Sequence, residues 1–381
     1  GGTIAWVGDD SAADVYADVA DTVIDLRGAL VAPGFVDAHV HATSTGMLLK
    51  GLDLSRAASL PEALEAVRAA AQAAPAGLVV GHGWDETRWP ERRAPTLSEL
   101  DAACGGREVY LSRVDVHSAL ASSVLRAAVE GLAGLAGYDA DGPLSQQAHH
   151  SVRESVLARI PEDQRSDAHR EFRRHASSLG IVSVHEMAGP TISSLADCRA
   201  LLDLASSEPG PLVAAYWGQL AQHGGIEAAR ELGAVGVGGD LFVDGAIGSR
   251  TACMCSPYAD AGTTGAAYLT RAEIAAHVAA ATRVGMQAGF HVIGDCAAAS
   301  VVGGLVDAAA EVGADAVRAA AHRLEHAELL DDAAIRVLAD LGVTASMQPM
   351  FDGLWGGSGG MYEQRLGIER AASMNRFVDL A

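Results

Sequence analysis

The stretch Val31-Ala32-Pro33-Gly34-Phe35-Val36-Asp37-Ala38-His39-Val40-His41 decides how this chain is read. An apolar run from Ala29 to Ala32 leads in, Pro33-Gly34 punctuates it, and alternation resumes from Phe35 to His41. On a strand, residues i and i+2 face the same side, so His39 and His41 project together. Two imidazoles side by side at the C-terminal end of a strand are a ready ligand pair for a borderline metal such as zinc. The chain holds 14 histidines, so such a pair also arises by coincidence in a core strand. Its meaning depends on what the rest of the chain brings to it.

Toward the N-terminus, Ile4–Val7, Thr22–Asp25 and Leu30–Val31 read as short strands, with turn chemistry at Gly8-Asp9-Asp10 and Arg27-Gly28. Residues 1–31 are therefore expected to be part of a small β-sandwich domain, and 32–381 the main domain. Toward the C-terminus, Ser59 and Pro61 open a helix over 60–74, and strand-like runs follow at 78–85 and 109–113. Asp115-Val116-His117-Ser118 is expected to lead into a further helix, 132–150 to be loop, and 151–179 to be helical. From residue 180 a rhythm begins. Apolar strands at 181–187, 212–217, 240–244, 287–291, 321–326 and 343–348 alternate with helical segments at 193–206, 224–232, 271–284, 298–312 and 331–341. Such alternation implies a parallel sheet with helices outside it. With the His-x-His strand counted first, the strands number seven. The expected fold class is α/β, a (β/α)8 TIM-like barrel lacking its eighth strand, with 78–150 inserted after the first strand.

The strand ends of such a barrel carry its chemistry. Here they offer His39 and His41, then Asp240 and Asp244, then His291, then Glu325-His326. Four imidazoles and a carboxylate suit one or two first-row divalent ions, zinc foremost. Such an ion lowers the pKa of bound water and polarises a carbonyl, which points to hydrolysis by metal-bound hydroxide.

Pro33 to His41 resembles the strand-1 signature of the amidohydrolase superfamily. Gly81-His82-Gly83-Trp84-Asp85, Asp244-Gly245-Ala246-Ile247-Gly248-Ser249-Arg250-Thr251-Ala252, His291-Val292-Ile293-Gly294-Asp295, Leu324-Glu325-His326 and Gln348-Pro349 are similar, in the same order, to the amidohydrolase family 3 branch. That branch includes N-substituted formamide deformylases and exoenzyme-regulator-like proteins. The resemblance implies His39, His41, His291 and His326 as metal ligands, a carboxylated lysine bridging on strand 4, and a strand-8 aspartate as ligand and proton shuttle. Two departures stand out. Asp240 occupies the lysine position, with Asp244 as a competing ligand, and no Gly-Ser-Asp follows Phe377 to Ala381. The chain also lacks an initiator Met, so a fragment of a longer protein is expected.

Further residues have two readings each. His322 falls on the face of His326 by alternation and reads as a core histidine or a second metal contact. Trp84, His117, Glu186 and Arg250 are substrate-binding candidates, against loop packing, structural hydrogen bonds and solvation. Arg250 draws attention because its fork matches a substrate carboxylate. A formal charge of −21 argues against nucleic acid and anionic membrane partners, which need basic patches. No run of 18 apolar residues and no signal peptide occur, and five cysteines without framework spacing read as reduced thiols, hence a cytoplasmic location. The expected partner is a small-molecule substrate, with homo-oligomerisation left open. The leading function is hydrolysis of a non-peptide C–N bond (amide, formamide, cyclic amide or amidine). The alternative is a degenerate, non-catalytic binding or regulatory relative.

Overall fold

The computed structural model of the chain describes residues 3–73 and 77–381, so Ala74, the expected last residue of the helix over 60–74, lies outside the described residues. Two compact units are present, residues 1–34 and 35–381. In the first, the described residues form one helix, Asp10–Ala17, and no strand. The strands expected at Ile4–Val7, Thr22–Asp25 and Leu30–Val31 do not form. An extended segment becomes a strand only when a neighbour satisfies its N–H and C=O groups, and no described strand pairs with these three.

The second unit carries β1 (Phe35–Val40), β2 (Leu52–Asp53), β3 (Val79–Trp84), β4 (Val109–Arg113), β5 (Ser118–Ala121), β6 (Leu144–Ser145), β7 (Ile181–Ala188), β8 (Leu212–Trp217), β9 (Gly236–Val237), β10 (Gln287–Val292), β11 (Arg323–His326) and β12 (Thr344–Ser346). Seven of them make a sheet in the order β1-β7-β8-β9-β10-β11-β12. Every pairing in it is parallel. Alternation sorts the side chains. Ala288, Phe290 and Val292 of β10 point outward and pack with Ile274 and Val278 of helix Arg271–Arg283 and Val301 and Leu305 of helix Asp295–Val312. Gly289 and His291 take the other face.

The inner face is closed by one buried guanidinium. Arg323 of β11 donates to Ala38 O of β1 and to Ser346 Oγ of β12 (2.9 Å), meets His185 Nδ1 of β7 at 2.9 Å, and lies over the Tyr216 ring of β8 at 5.0 Å. Its partner Glu325 reaches His39 of β1 at 2.8 Å, so the seven strands curl into a nearly closed barrel.

The fourth barrel strand differs from expectation. β9 ends at Val237, and Asp240 to Asp244 do not form a ladder strand. Gly238 (φ +127) and Gly239 (φ +82) turn the chain, and a Cβ on Gly238 would stand 2.2 Å from Gly289 O. Beyond the break the chain rejoins β10, where His291 N donates to Leu241 O (3.0 Å) and Val243 N donates to His291 O (3.1 Å). Asp240 is thus carried on a non-repeating turn at the mouth.

The insertion between β1 and β7 is a second sheet, β2-β3-β4-β5-β6. It begins at Leu52 rather than near 78 and includes helix Leu60–Ala73. The helix expected directly after Asp115–Ser118 is instead β5, which pairs antiparallel with β4. The expected loop over 132–150 ends in β6 and the start of helix Gln146–Ala158, and Pro161 separates that helix from Glu162–Ser178. Among the described residues no single helix is long and apolar enough to cross a membrane.

Candidate metal centre

Asp240 lies at the middle of the barrel mouth, 4% exposed, and its two oxygens face different imidazoles. Oδ2 is 3.2 Å from His41 Nε2 and 4.0 Å from His39 Nε2. Oδ1 is 2.9 Å from His291 Nδ1 and 3.7 Å from His326 Nε2. The nitrogen and oxygen atoms fall into two triads, His39–His41–Asp240 and Asp240–His291–His326, each with its atoms within 4.8 Å of one another. Asp240 belongs to both. Burial pushes its carboxyl up, but His291, His326 and His41 outweigh that and hold it well below the usual carboxylate range.

The opposite nitrogen of each ring is also committed. His39 Nδ1 donates to Glu325 Oε2 (2.8 Å), His41 Nδ1 to Met187 O (3.1 Å), His326 Nδ1 to Gln348 Oε1 (2.7 Å) and His291 Nε2 to Gly245 O (3.2 Å). A neutral imidazole has one N–H. With the outer nitrogen of each ring held on a fixed oxygen, the inner nitrogens of all four rings converge on the Asp240 carboxylate, His291 Nδ1 at hydrogen-bond distance (2.9 Å). Nitrogens converging on one carboxylate are a donor set a divalent ion can take in place of their protons, and outer oxygens that fix ring orientation are the usual support of a metal-bound histidine. The donor set therefore fits divalent ions.

His326 reaches the centre through backbone strain rather than alternation. On β11, Arg323 and Glu325 face inward and Leu324 outward, so His326 would follow Leu324 toward the helices. Its φ of +70, followed by +49 at Ala327, turns the ring back over the mouth. Left-handed backbone at a non-glycine residue costs about 1–2 kcal/mol. For the same reason His322 and His326 do not share a face. His322 accepts from Ala288 N (2.9 Å) and meets Thr282 Oγ1 (2.9 Å) against the outer helix, away from the metal centre.

Other candidates separate cleanly. Asp244 takes Ile293 N (3.0 Å), Gly294 N (2.7 Å) and Cys253 N (2.9 Å), bracing the turn after β10 rather than facing the metal triads. Glu186 accepts from Ala42 N (2.7 Å) at the start of helix Ala42–Lys50 and lies outside the clefts at the mouth. Trp84 is 1% exposed, donates to Leu111 O (2.9 Å), and packs in the core of the insertion. Arg250 is held by Asp260 through Nε (3.0 Å) and Nη2 (2.7 Å), away from the cleft. His117 does line the cleft, its ring 4.9 Å from that of His291, and burial first, then His291, presses its pKa well below 6.5.

Two clefts meet at His41, His117 and Asp240. One is walled by Phe351, Trp355 and Tyr362 and contains Glu328, 4% exposed, whose Oε2 has no hydrogen-bond partner. The other is mostly apolar and contains Arg153. Sequence reading noted Glu325 only beside His326 at its strand end and passed over Glu328, Arg323 and Arg153 as site residues. Arg323 and Glu325, two apart on a buried strand, were the one available signal: charges on an inward face need partners there.

A parallel barrel with a histidine–carboxylate cluster at its C-terminal mouth defines a metal-dependent hydrolase architecture. It is shared with two solved metal-dependent hydrolases, from Pyrococcus horikoshii OT3 (TM-score 0.69, 25% identity, covering 98% of this chain and 74% of that one) and Pyrococcus furiosus (TM-score 0.67, 28% identity, 98% and 76%). Residues 22–380 match the amidohydrolase family, and the chain belongs to it. The Bacillus subtilis (strain 168) protein named as amidohydrolase YtcJ is 28% identical over 362 residues, covering 86% of this chain. The chain spans 64% of the length of that relative.

Proposed function

We propose that this chain hydrolyses a non-peptide C–N bond with divalent metal, zinc by preference, that His39, His41, Asp240, His291 and His326 would hold. The observation that carries the reading is the split of one carboxylate between two imidazole pairs. Divalent ions held there supply a Lewis acid and acidify water. The residues do the remainder. Glu325, Met187, Gly245 and Gln348 hold the four rings in register. His117, uncharged, flanks the reacting group. Burial lifts the Glu328 carboxyl to about 7, so at neutral pH its Oε2 can hold and release a proton beside the centre.

Asp240 has one negative charge, as a lysine carbamate does, without a CO2-derived group. Metal content and activity are accordingly expected to be unchanged when the protein is stripped and reloaded in CO2-depleted buffer. Loss restored by bicarbonate would count against Asp240 as the bridge.

The function is tested by loading the full chain with Zn or Mn and assaying amine release from N-alkylformamides, linear amides and cyclic amides. Turnover that falls by more than about 100-fold in His39→Ala is expected. Bound metal with no turnover of any C–N substrate would move the protein to the binding or regulatory reading, and unchanged turnover in His39→Ala would place the chemistry elsewhere.

A further inference from the structure

Arg153 projects from helix Gln146–Ala158 into the apolar cleft whose floor is His41 and Asp240. Its walls include Met47, Leu48, Val80, Leu157, Ile192 and Phe242. Nη2 donates to Thr191 O (2.6 Å), while Nε is buried with no partner. In a chain with 48 acidic residues, no ion pair to Arg153 forms among the described residues. Other arginines here are treated differently. Arg113 gathers Asp85, Glu86 and Asp115, and Arg250, the sequence candidate for a substrate carboxylate, is occupied by Asp260.

The carboxylate that acts on Arg153 through space is Asp240 on the cleft floor, and it is already engaged by His41 and His291. Tyr110 is pushed by burial to about 12 and meets His149 Nε2 at 2.8 Å. Burial keeps His149 well below neutral and His150 at about 3, so these rings are uncharged. A guanidinium keeps its charge even when burial disfavours it, and its planar fork matches a carboxylate. An apolar wall strengthens that attraction.

We propose that Arg153 is an anion subsite and that the substrate carries a carboxylate on an apolar chain, its scissile bond lying over Asp240 while the carboxylate meets the guanidinium fork. This rests on the hydrolase reading for the reaction but not for the binding.

The test is calorimetric binding of 4-methylpentanoate and its neutral amide, 4-methylpentanamide, to the full chain stripped of metal by chelation, so that no ion competes for the carboxylate. The carboxylate is expected to bind at least about tenfold tighter than the amide. Arg153→Gln should abolish that preference, Arg153→Lys should retain a weaker one, and Arg250→Ala should leave it intact. Circular dichroism melts check that each variant folds. If Arg153→Gln does not fold, Arg153→Lys decides, and wild-type affinity in it would overturn the fork. No preference in wild type, or one surviving Arg153→Gln, would overturn the subsite. Carboxylate preference without amide turnover would count against the hydrolase reading alone. Turnover of neutral amides without carboxylate preference would count against the subsite alone.

Discussion

Asp240→Ala is expected to remove most of the bound metal and to lower turnover by well over 100-fold, more than loss of any single histidine. Partners one shell removed from a metal are commonly worth 10–100-fold, and Asp240 is the sole residue common to both triads. Each histidine contributes one nitrogen to one triad, whereas both Asp240 oxygens are engaged. Its removal also leaves four imidazoles facing one another with no negative charge to hold cations among them. Asp240→Asn keeps the shape and removes the charge, so it is expected to fail nearly as badly. Mass-spectrometric metal content with circular dichroism separates metal loss from unfolding. Retained metal in folded Asp240→Ala would show that the carboxylate is not a ligand.

Arg323→Ala is expected to destabilise the barrel by about 3–5 kcal/mol, the usual result of breaking a buried ion pair and stranding one charge. Arg323 is 4% and Glu325 0% exposed, and the guanidinium touches β1, β7, β8 and β12 besides its own strand. The effect also has a pH signature. Burial raises the Glu325 carboxyl, but His39 and Arg323 outweigh it and depress it from 4.5 to about 2. A depressed carboxyl contributes stability that is complete above its unfolded value and is lost as pH falls through its folded one. Wild type should therefore lose stability between pH 4.5 and about 2. Arg323→Ala should lose part of that slope along with its overall stability. Urea midpoints across that range measure both, and an unchanged midpoint at neutral pH would refute the role of Arg323 as the barrel's closing contact.

Much of the barrel was legible because its strands repeat a simple rule: outward residues are apolar and meet helices, as Ala288, Phe290 and Val292 do. The places of the candidate ligand histidines 39, 41 and 291 followed from alternation and strand ends. His326 stands where it was expected, but for a different reason. Alternation would have turned it outward, and only its φ of +70 brings it in. Such strain does not appear in a residue pattern. The same limit hid the nature of strand 4. Gly238 and Gly239 break it, and Asp240 is positioned by a turn whose geometry depends on the backbone of Gly289. Arg153 was hidden for a related reason. Its importance lies in partners it does not have, and missing partners are a property of the folded chain. The short strands expected over residues 3–31 failed because local β pattern is not pairing.

The most direct test of the shared carboxylate is anomalous diffraction from crystals of the full chain loaded with zinc. Two peaks are expected, one between Asp240 Oδ2 and the His39–His41 pair and one between Oδ1 and the His291–His326 pair, each about 2.0–2.2 Å from a carboxylate oxygen. A barrel mouth without a peak, or zinc bound with Asp240 turned away from it, would contradict the two-ion centre.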